Sequence, residues 1–162
     1  MAAPRRGKLT VFLGYAPGVG KTVAMLEAAA LARKAGRDVV VGIVEDHGRA
    51  FTASLAAGFE TLDRAAVPYQ GRTFDELDTE AVLERAPEIV VVDELAHTNV
   101  PGSGSRAKRW EDVAAILTAG IDVFTTINIQ HLESLGDVVG SIIGDVRLEQ
   151  QGLRLRRTRL QL

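Results

Sequence analysis

Four short apolar runs, separated by helical patterns, constrain the fold of this chain more than any other feature. They are rich in β-branched residues and lack strict alternation, which is typical of strands covered on both faces. The runs are KLTVFLG (8–14), DVVVGIVE (38–45), EIVVVDE (88–94) and GIDVFTTIN (120–128). Helical patterns occupy 21–36, 74–86, 107–120 and, more weakly, 131–144. This order predicts βαβ units and therefore an α/β, three-layer domain, in which helices flank a mostly parallel sheet.

The 162 residues fit one domain. We divide the chain into an extension at 1–7, a domain at 8–144 and a tail at 145–162. Within the domain, segment 45–74 is predicted to add a helix near 49–58 and a short strand near 67–70. The tail carries five arginines and two acidic residues. It is predicted to be an edge strand or a frayed end, and the alternative is a basic patch for a partner or for lipid headgroups.

Composition narrows the possible environments and partners. The formal net charge of −2 gives no reason to expect nucleic acid or an anionic membrane as partner. The absence of cysteine excludes disulfides, thiolate zinc sites and cysteine nucleophiles. No apolar run reaches the roughly 18 residues that a membrane-spanning helix needs, and the start MAAPRRGK lacks the apolar segment of a signal peptide. We therefore expect a cytoplasmic protein without a membrane span.

The segment GYAPGVGKT (14–22) follows the first strand and leads into the first helix. It departs from the phosphate-binding pattern G-x-x-x-x-G-K-[ST] at one position, because Tyr15 stands where the first glycine belongs. The part PGVGKT is intact, so its backbone N–H groups can still surround an anion at a helix N-terminus. The alternative is a glycine-rich turn with an incidental lysine. We expect nucleotide contacts from Gly14, Pro17, Gly18, Val19, Gly20, Lys21 and Thr22.

Within this P-loop, Lys21 is expected to reach the β- and γ-phosphates, and the Thr22 hydroxyl to bind Mg²⁺. Asp93 and Glu94 end the third apolar run, at the edge of the sheet where ligands bind in open α/β folds. We expect Asp93 to hold the magnesium ion through water and Glu94 to act as the catalytic base that polarises a water molecule. The alternative is a pair of solvated acidic residues at a strand end.

Polar residues follow two of the predicted strands. His97 and Asn99 come directly after the acidic pair, and Asn128 and Gln130 end the fourth strand. We predict that these four side chains sense or contact the γ-phosphate region. For His97 the alternative is a structural or surface role, and for Asn128 and Gln130 it is a polar strand end that caps the next helix.

The stretch NVPGSGSRAKR (99–109) is rich in Pro, Gly and Ser and ends in Arg106, Lys108 and Arg109. It is predicted to be a mobile loop that brings positive charge beside the acidic pair and closes over the nucleotide. A solvated loop followed by a basic first helical turn is the alternative. Trp110, the single tryptophan, is expected in the core or at an interface.

The chain resembles the N-terminal cytoplasmic domain of KdpD-type potassium-sensing histidine kinases over roughly residues 6–144. The resemblance lies in the order and spacing of RGKLTVFLGYAPGVGKTVAMLEAA, IVVVDELAHTNVPGS, KRWEDV, LTAGIDVFTTINIQHLESL and DVV. It implies a P-loop NTPase-like, ATP-binding module at the front of a membrane sensor, with Mg²⁺ as cofactor. The family's nucleotide motif falls on Gly18, Gly20, Lys21 and Thr22, and its second motif on Asp93.

In the family, this domain precedes a universal-stress-like domain, membrane helices, a GAF-like domain and the kinase core, and the complete protein controls potassium uptake. The present chain has no phosphoacceptor histidine box and no kinase ATP lid, and its tail after about residue 145 diverges from the family. We therefore expect an ATP-binding regulatory domain, a nucleotide switch with at most slow hydrolysis, that contacts other domains of a sensor kinase or a partner sensor protein. The alternatives are a small stand-alone P-loop ATPase or small-molecule kinase, and a scaffold that has lost nucleotide function.

Overall fold

A computed structural model describes residues 5–14, 20–131, 135, 146–150 and 153–154. The described part of the chain alternates strands with helices over most of its length. The strands are β1 Leu9–Gly14, β2 Val39–Ile43, β3 Glu60–Thr61, β4 Ala65–Tyr69, β5 Arg72–Glu76, β6 Ile89–Val92, β7 Asp122–Asn128, β8 Val146–Gln150 and β9 Leu153–Arg154. The helices are α1 Lys21–Lys34, α2 Ala50–Ala57, α3 Thr79–Arg85 and α4 Arg109–Thr118.

Seven strands form one sheet in the order β3-β2-β6-β7-β1-β8-β9. Every neighbouring pair is parallel except β8 and β9, which are antiparallel. The four apolar runs of the sequence supply β1, β2, β6 and β7, which are adjacent in the centre of the sheet. The predicted α/β architecture with a mostly parallel sheet flanked by helices is therefore confirmed.

Helices cover both faces of the sheet, which explains why the central strands are apolar without strict alternation. On one face, Met25, Leu26 and Ala29 of α1 join a buried cluster with side chains of β1, β2 and β6. On the other face, Val113, Ile116 and Leu117 of α4 join a second cluster that includes Val82 of α3. Trp110, which was expected in the core or at an interface, is partly buried and packs against this second cluster.

The predicted helix over 74–86 is wrong in its first part. Residues 72–76 form β5, which pairs with β4 in a separate antiparallel hairpin around Gln70 and Gly71. Both turn residues have positive φ, 48° and 76°, the geometry of a two-residue hairpin turn. The helix begins only at Thr79, because the Asp78 side chain accepts a hydrogen bond from the Ala81 N–H at 3.0 Å and caps it.

Three other predicted segments have different outcomes. The helix near 49–58 is confirmed as α2. The helix expected over 131–144 lies almost entirely outside the described residues. In the tail, β8 pairs in parallel with β1, and β9 pairs with β8 at the edge of the sheet. The predicted strand in the tail is therefore present, but only the two-residue β9 lies at the edge, since β8 has a neighbour on each side.

Candidate functional site

The sheet order brings three strand ends together beside the start of α1. In the register of the sheet, Gly14 at the end of β1 lies opposite Asn128 at the end of β7, and Val92 at the end of β6 lies opposite Thr125. Because β7 separates β1 from β6, its polar end stands between the glycine-rich segment and the acidic pair. This is the carboxyl edge of a parallel sheet, where α/β proteins bind ligands.

Helix α1 begins directly after Gly20, whose φ of 83° is in the left-handed region. Glycine adopts this conformation without steric cost, which explains the residue required at this position. Lys21 and Thr22 therefore occupy the first turn of α1, where backbone N–H groups are unpaired within the helix. Pro17, Gly18 and Val19, like Tyr15, lie outside the described residues, and their role in binding stays a prediction.

Asp93 is buried, with 1% of its surface exposed. The Thr22 hydroxyl lies 3.3 and 3.4 Å from its two carboxylate oxygens. The Thr126 hydroxyl and the Glu45 N–H also donate to it, the latter at 3.0 Å. Burial raises the pKa of Asp93, while these two donors and the charge of Lys21 oppose the rise. An ionised Asp93 is therefore a costly group that a cation beside it would stabilise.

Glu94 lies in a tightly fixed turn after β6. Its N–H donates to the Thr126 hydroxyl at 3.0 Å, and the next N–H, of Leu95, donates to the Thr126 carbonyl at 2.9 Å. Glu94 has a φ of 57°, a conformation that is rare for residues other than glycine. Its carboxylate lies 3.1 Å from Nε2 of His47, in the turn after β2. Thr126 thus fixes both acidic residues, through its hydroxyl and its carbonyl.

A pocket of about 240 Å³ opens at this edge of the sheet. Four of the predicted site residues contribute to its wall together with neighbouring side chains. The lining residues are Lys21, Glu94, Ala96, His97, Thr126, Ile127, Asn128 and His131. Oδ1 of Asn128 is buried and has no hydrogen-bond partner within the described part of the chain. The pocket therefore combines the lysine of a helix N-terminus, a carboxylate and a side-chain amide.

Two of the predicted sensing residues are not among the residues that line this pocket. Gln130 is exposed. Asn99 is buried, and its amide nitrogen donates to Asp112 Oδ2 at 2.7 Å and to the Arg106 carbonyl at 3.0 Å. These contacts connect the start of segment 99–109 to α4, so the observed role of the Asn99 side chain is structural.

Segment 99–109 is a loop closed at its base. Thr98 and Lys108 form an antiparallel bridge, and the Asn99 N–H donates to the Ala107 carbonyl at 2.9 Å. Lys108 donates to the Thr98 hydroxyl at 2.7 Å, and Arg106 lies 3.4 Å from Glu80. The expectation that this loop brings its cations together beside the acidic pair is wrong for these two side chains, because acceptors outside the pocket engage them. The alternative, a loop followed by a basic first turn of α4, describes the segment better.

Arg109 supports the candidate site, and the sequence patterns did not predict that this side chain is buried. It is buried, with 1% exposure, and its Nη1 donates to the Asp93 carbonyl at 2.9 Å. Its Nη2 lies 3.6 Å from the buried carboxylate of Glu76, which also contacts Nε2 of His97 at 2.8 Å. Burial lowers the pKa of Arg109, and the charge of Glu76 is the main opposing effect. This ionic cluster supports the turn that carries the acidic pair.

The helical periodicity of α4 indicates that Arg109 is buried. The buried residues of α4 are Arg109, Asp112, Val113, Ile116 and Leu117. Positions 109, 113, 116 and 117 fall on one helical face, so the arginine shares the face of the apolar core residues. The basic composition of the preceding loop favoured a solvent-exposed interpretation instead.

Comparison with known proteins supports one family. The model of the KdpD family, described as the osmosensitive K⁺ channel His kinase sensor domain, matches residues 5–151. The chain is 53% identical over 151 residues to a putative sensor protein KdpD of Synechocystis and 53% identical over 143 residues to the sensor protein KdpD of Escherichia coli. It is also 56% identical over 140 residues to the sensor protein KdpD of Mycobacterium tuberculosis.

These matches cover 93%, 88% and 86% of the present chain, but only 40%, 16% and 16% of the three relatives. The chain therefore spans less than half of the length of each relative. Among the described residues, no helix is both long and apolar enough to cross a membrane.

Proposed function

Because the chain belongs to the KdpD family of osmosensitive K⁺ channel histidine kinase sensor domains, we propose that it is a P-loop NTPase-like domain that binds ATP and regulates a larger sensor kinase. In this proposal, the domain lies on the cytoplasmic side of the membrane and communicates with other domains of the same kinase. Hydrolysis is at most slow, since a nucleotide switch requires a lasting bound state rather than a high flux.

The observation that carries this proposal is the pairing of Thr22 with Asp93. The two residues are 71 positions apart, and they come from the two segments in which a P-loop protein holds its nucleotide and its magnesium ion. Lys21, next to Thr22, and Glu94, next to Asp93, both line the adjacent pocket. A hydroxyl, a buried carboxylate, a lysine and a second carboxylate thus meet at the N-terminus of a helix, where phosphate binds favourably.

The residues present fit a magnesium ion. Oxygen ligands suit Mg²⁺, which usually binds to one or two protein groups together with water and substrate phosphates. The described residues contain no group of three or more His, Asp or Glu side chains that could hold a metal ion by itself. Thr22 and Asp93 would therefore hold the ion jointly with the nucleotide. When bound, it would neutralise charge on the β- and γ-phosphates.

The remaining side chains have separable roles. Lys21 would bind the terminal phosphates, and Glu94 would accept a proton from the attacking water. Asn128 also lines the pocket and would contact that water through its side-chain amide, since its position at the end of β7 lies between the other two groups. ADP and phosphate without any phosphorylated acceptor would distinguish this reaction from that of a small-molecule kinase.

Replacing Lys21 with alanine tests the proposed function directly. We expect the variant to bind MgATP about 1.5–3 kcal/mol more weakly, the usual contribution of a hydrogen bond to a charged group. Isothermal titration calorimetry measures both affinities. Lys34→Ala is the matched control, because Lys34 is an exposed lysine in the last turn of the same helix and should leave the affinity unchanged. Equal affinities for the wild type and Lys21→Ala would contradict the proposal.

The loop after the acidic pair is expected to respond to the nucleotide. Its base is closed by the Thr98–Lys108 bridge, so the change should be largest at the exposed tip, 101–105. Hydrogen exchange over 95–112 should be fastest in the free protein, slower with ADP and slowest with a non-hydrolysable ATP analogue. Identical exchange in all three states would exclude this loop as the output of a nucleotide switch.

A further inference from the structure

We propose that His47 is a positioning residue for ATP hydrolysis, which holds the Glu94 carboxylate in the orientation that accepts a proton from the attacking water. This inference rests on the proposed function, since it requires ATP in the pocket and Glu94 as the base. It adds a residue outside both nucleotide motifs, because His47 lies in the turn between β2 and α2.

The contact between His47 and Glu94 is a hydrogen bond between two side chains. Nε2 of His47 lies 3.1 Å from Oε1 of Glu94, across a sequence separation of 47 residues. Glu94 lines the pocket, whereas His47 is not among its lining residues. His47 therefore contacts Oε1 from outside the pocket lining, and the proposal assigns Oε2 to the attacking water.

The backbone on both sides of the contact is constrained. His47 has a φ of 51° and Glu94 a φ of 57°, and such conformations persist only where the surrounding structure enforces them. For His47 this is a two-residue turn with Gly48, closed by the hydrogen bond from the Arg49 N–H to the Asp46 carbonyl at 2.9 Å. The Asp46 side chain also accepts from the Gly48 N–H at 2.8 Å. The turn thus fixes the backbone of His47 relative to the end of β2, and the contact with Glu94 is the hydrogen bond that orients its imidazole.

Glu94 is constrained in a different way. The other positive-φ residues of the described chain besides glycine are explained by hairpin-like turns at 47–48 and 70–71 and by the helix end at Ala86. Glu94 has neither explanation, and its N–H instead binds Thr126 and Asp93. The side chain that leaves this fixed backbone still has free rotations of its own. His47 restricts these rotations, and restricted orientation is a recognised source of catalytic rate.

The chemical step is ordinary hydrolysis of the terminal phosphoanhydride. The water oxygen forms a bond to the γ-phosphorus, and the bond from that phosphorus to the β,γ-bridging oxygen breaks. ADP leaves with the electron pair of the broken bond, and the proton of the water passes to Oε2 of Glu94 and then to solvent. His47 touches none of the reacting atoms in this scheme, and its effect passes entirely through Glu94.

The test compares two substitutions of His47 whose side chains differ in length. Asparagine tolerates the left-handed backbone of residue 47, but its side chain is too short to contact Glu94, whereas the amide nitrogen of glutamine can reach the position of Nε2. We expect His47→Asn to lower kcat for ATP hydrolysis about two- to fivefold, the range open to a half-exposed contact. KM and calorimetric ATP affinity should not change, and His47→Gln should recover most of the rate.

The same substitutions in a Glu94→Gln background separate positioning from a structural effect. If His47 acts through Glu94, His47→Asn should have no further effect on the rate there. A further loss in that background, or wild-type kcat for His47→Asn alone, would overturn the role of His47 while leaving ATP binding established by calorimetry. Bound ATP without measurable hydrolysis in the wild type would also overturn it. Absence of ATP binding by the wild type would instead refute the proposed function.

Discussion

Replacing Arg109 with methionine is expected to destabilise the fold by about 3–5 kcal/mol, the usual effect of removing one partner from a buried ion pair. Arg109 is 1% exposed, and its loss would leave the buried Glu76 carboxylate without its arginine and the Asp93 carbonyl without a donor. Methionine fills much of the same volume, so the loss of charge and hydrogen bonding would dominate. Urea unfolding of both proteins measures the difference.

Arg106→Met is the matched control for this substitution. Arg106 is three residues earlier and 31% exposed, and it lies 3.4 Å from the exposed Glu80 and 3.6 Å from Asp112. Asp112 keeps its hydrogen bonds from Thr79 and Asn99, so the loss of Arg106 should cost clearly less than that of Arg109. A second variant, Arg109→Met with Glu76→Gln, should recover part of the stability because it also removes the unpaired charge. A destabilisation by Arg109→Met no larger than that of the control would show that the buried cluster does not support the fold.

Glu94→Gln should lower ATP hydrolysis by about 10²- to 10⁴-fold, the contribution typical of a general base, and leave MgATP affinity unchanged. Asp93→Asn should instead weaken binding of ATP in the presence of Mg²⁺ by about 10- to 100-fold. The reason for the difference is their geometry: Asp93 is buried against Thr22, whereas Glu94 lines the pocket. Calorimetry and release of inorganic phosphate measure the two effects separately.

The effect of Asp93→Asn depends on magnesium, which supplies its control. Asparagine keeps one acceptor oxygen for the Glu45 N–H, and its amide nitrogen, in the place of the other oxygen, can donate to the Thr126 hydroxyl, so the fold should be retained. In the presence of a chelator, the wild type and the variant should bind ATP with similar affinity. Hydrolysis by Glu94→Gln at the wild-type rate would exclude Glu94 as the base, and a magnesium-independent loss in Asp93→Asn would exclude the assigned role of Asp93.

The segments that sequence patterns predicted well are those governed by local chemistry. The apolar runs that became β1, β2, β6 and β7 are short, continuous and rich in β-branched residues, and this composition is visible in short windows of sequence. Gly20 precedes a helix and adopts a φ of 83°, a conformation that its residue type predicts. The hairpin of β4 and β5 was predicted only in part, because Gln70–Gly71 is a less distinctive turn signal than Asn-Gly or Asp-Gly.

By itself, the sequence determined that a parallel sheet forms, that Lys21 and Thr22 begin a helix and that Asp93 and Glu94 follow a strand, because hydrophobic pattern and motif spacing are properties of neighbouring residues. Only the tertiary structure decided that β7 enters between β1 and β6, and thereby places Thr126 on Asp93. It also decided that His47 faces Glu94 and that Arg109 is buried. These contacts join residues 16 to 47 positions apart, so their free energy depends on packing that no local pattern contains.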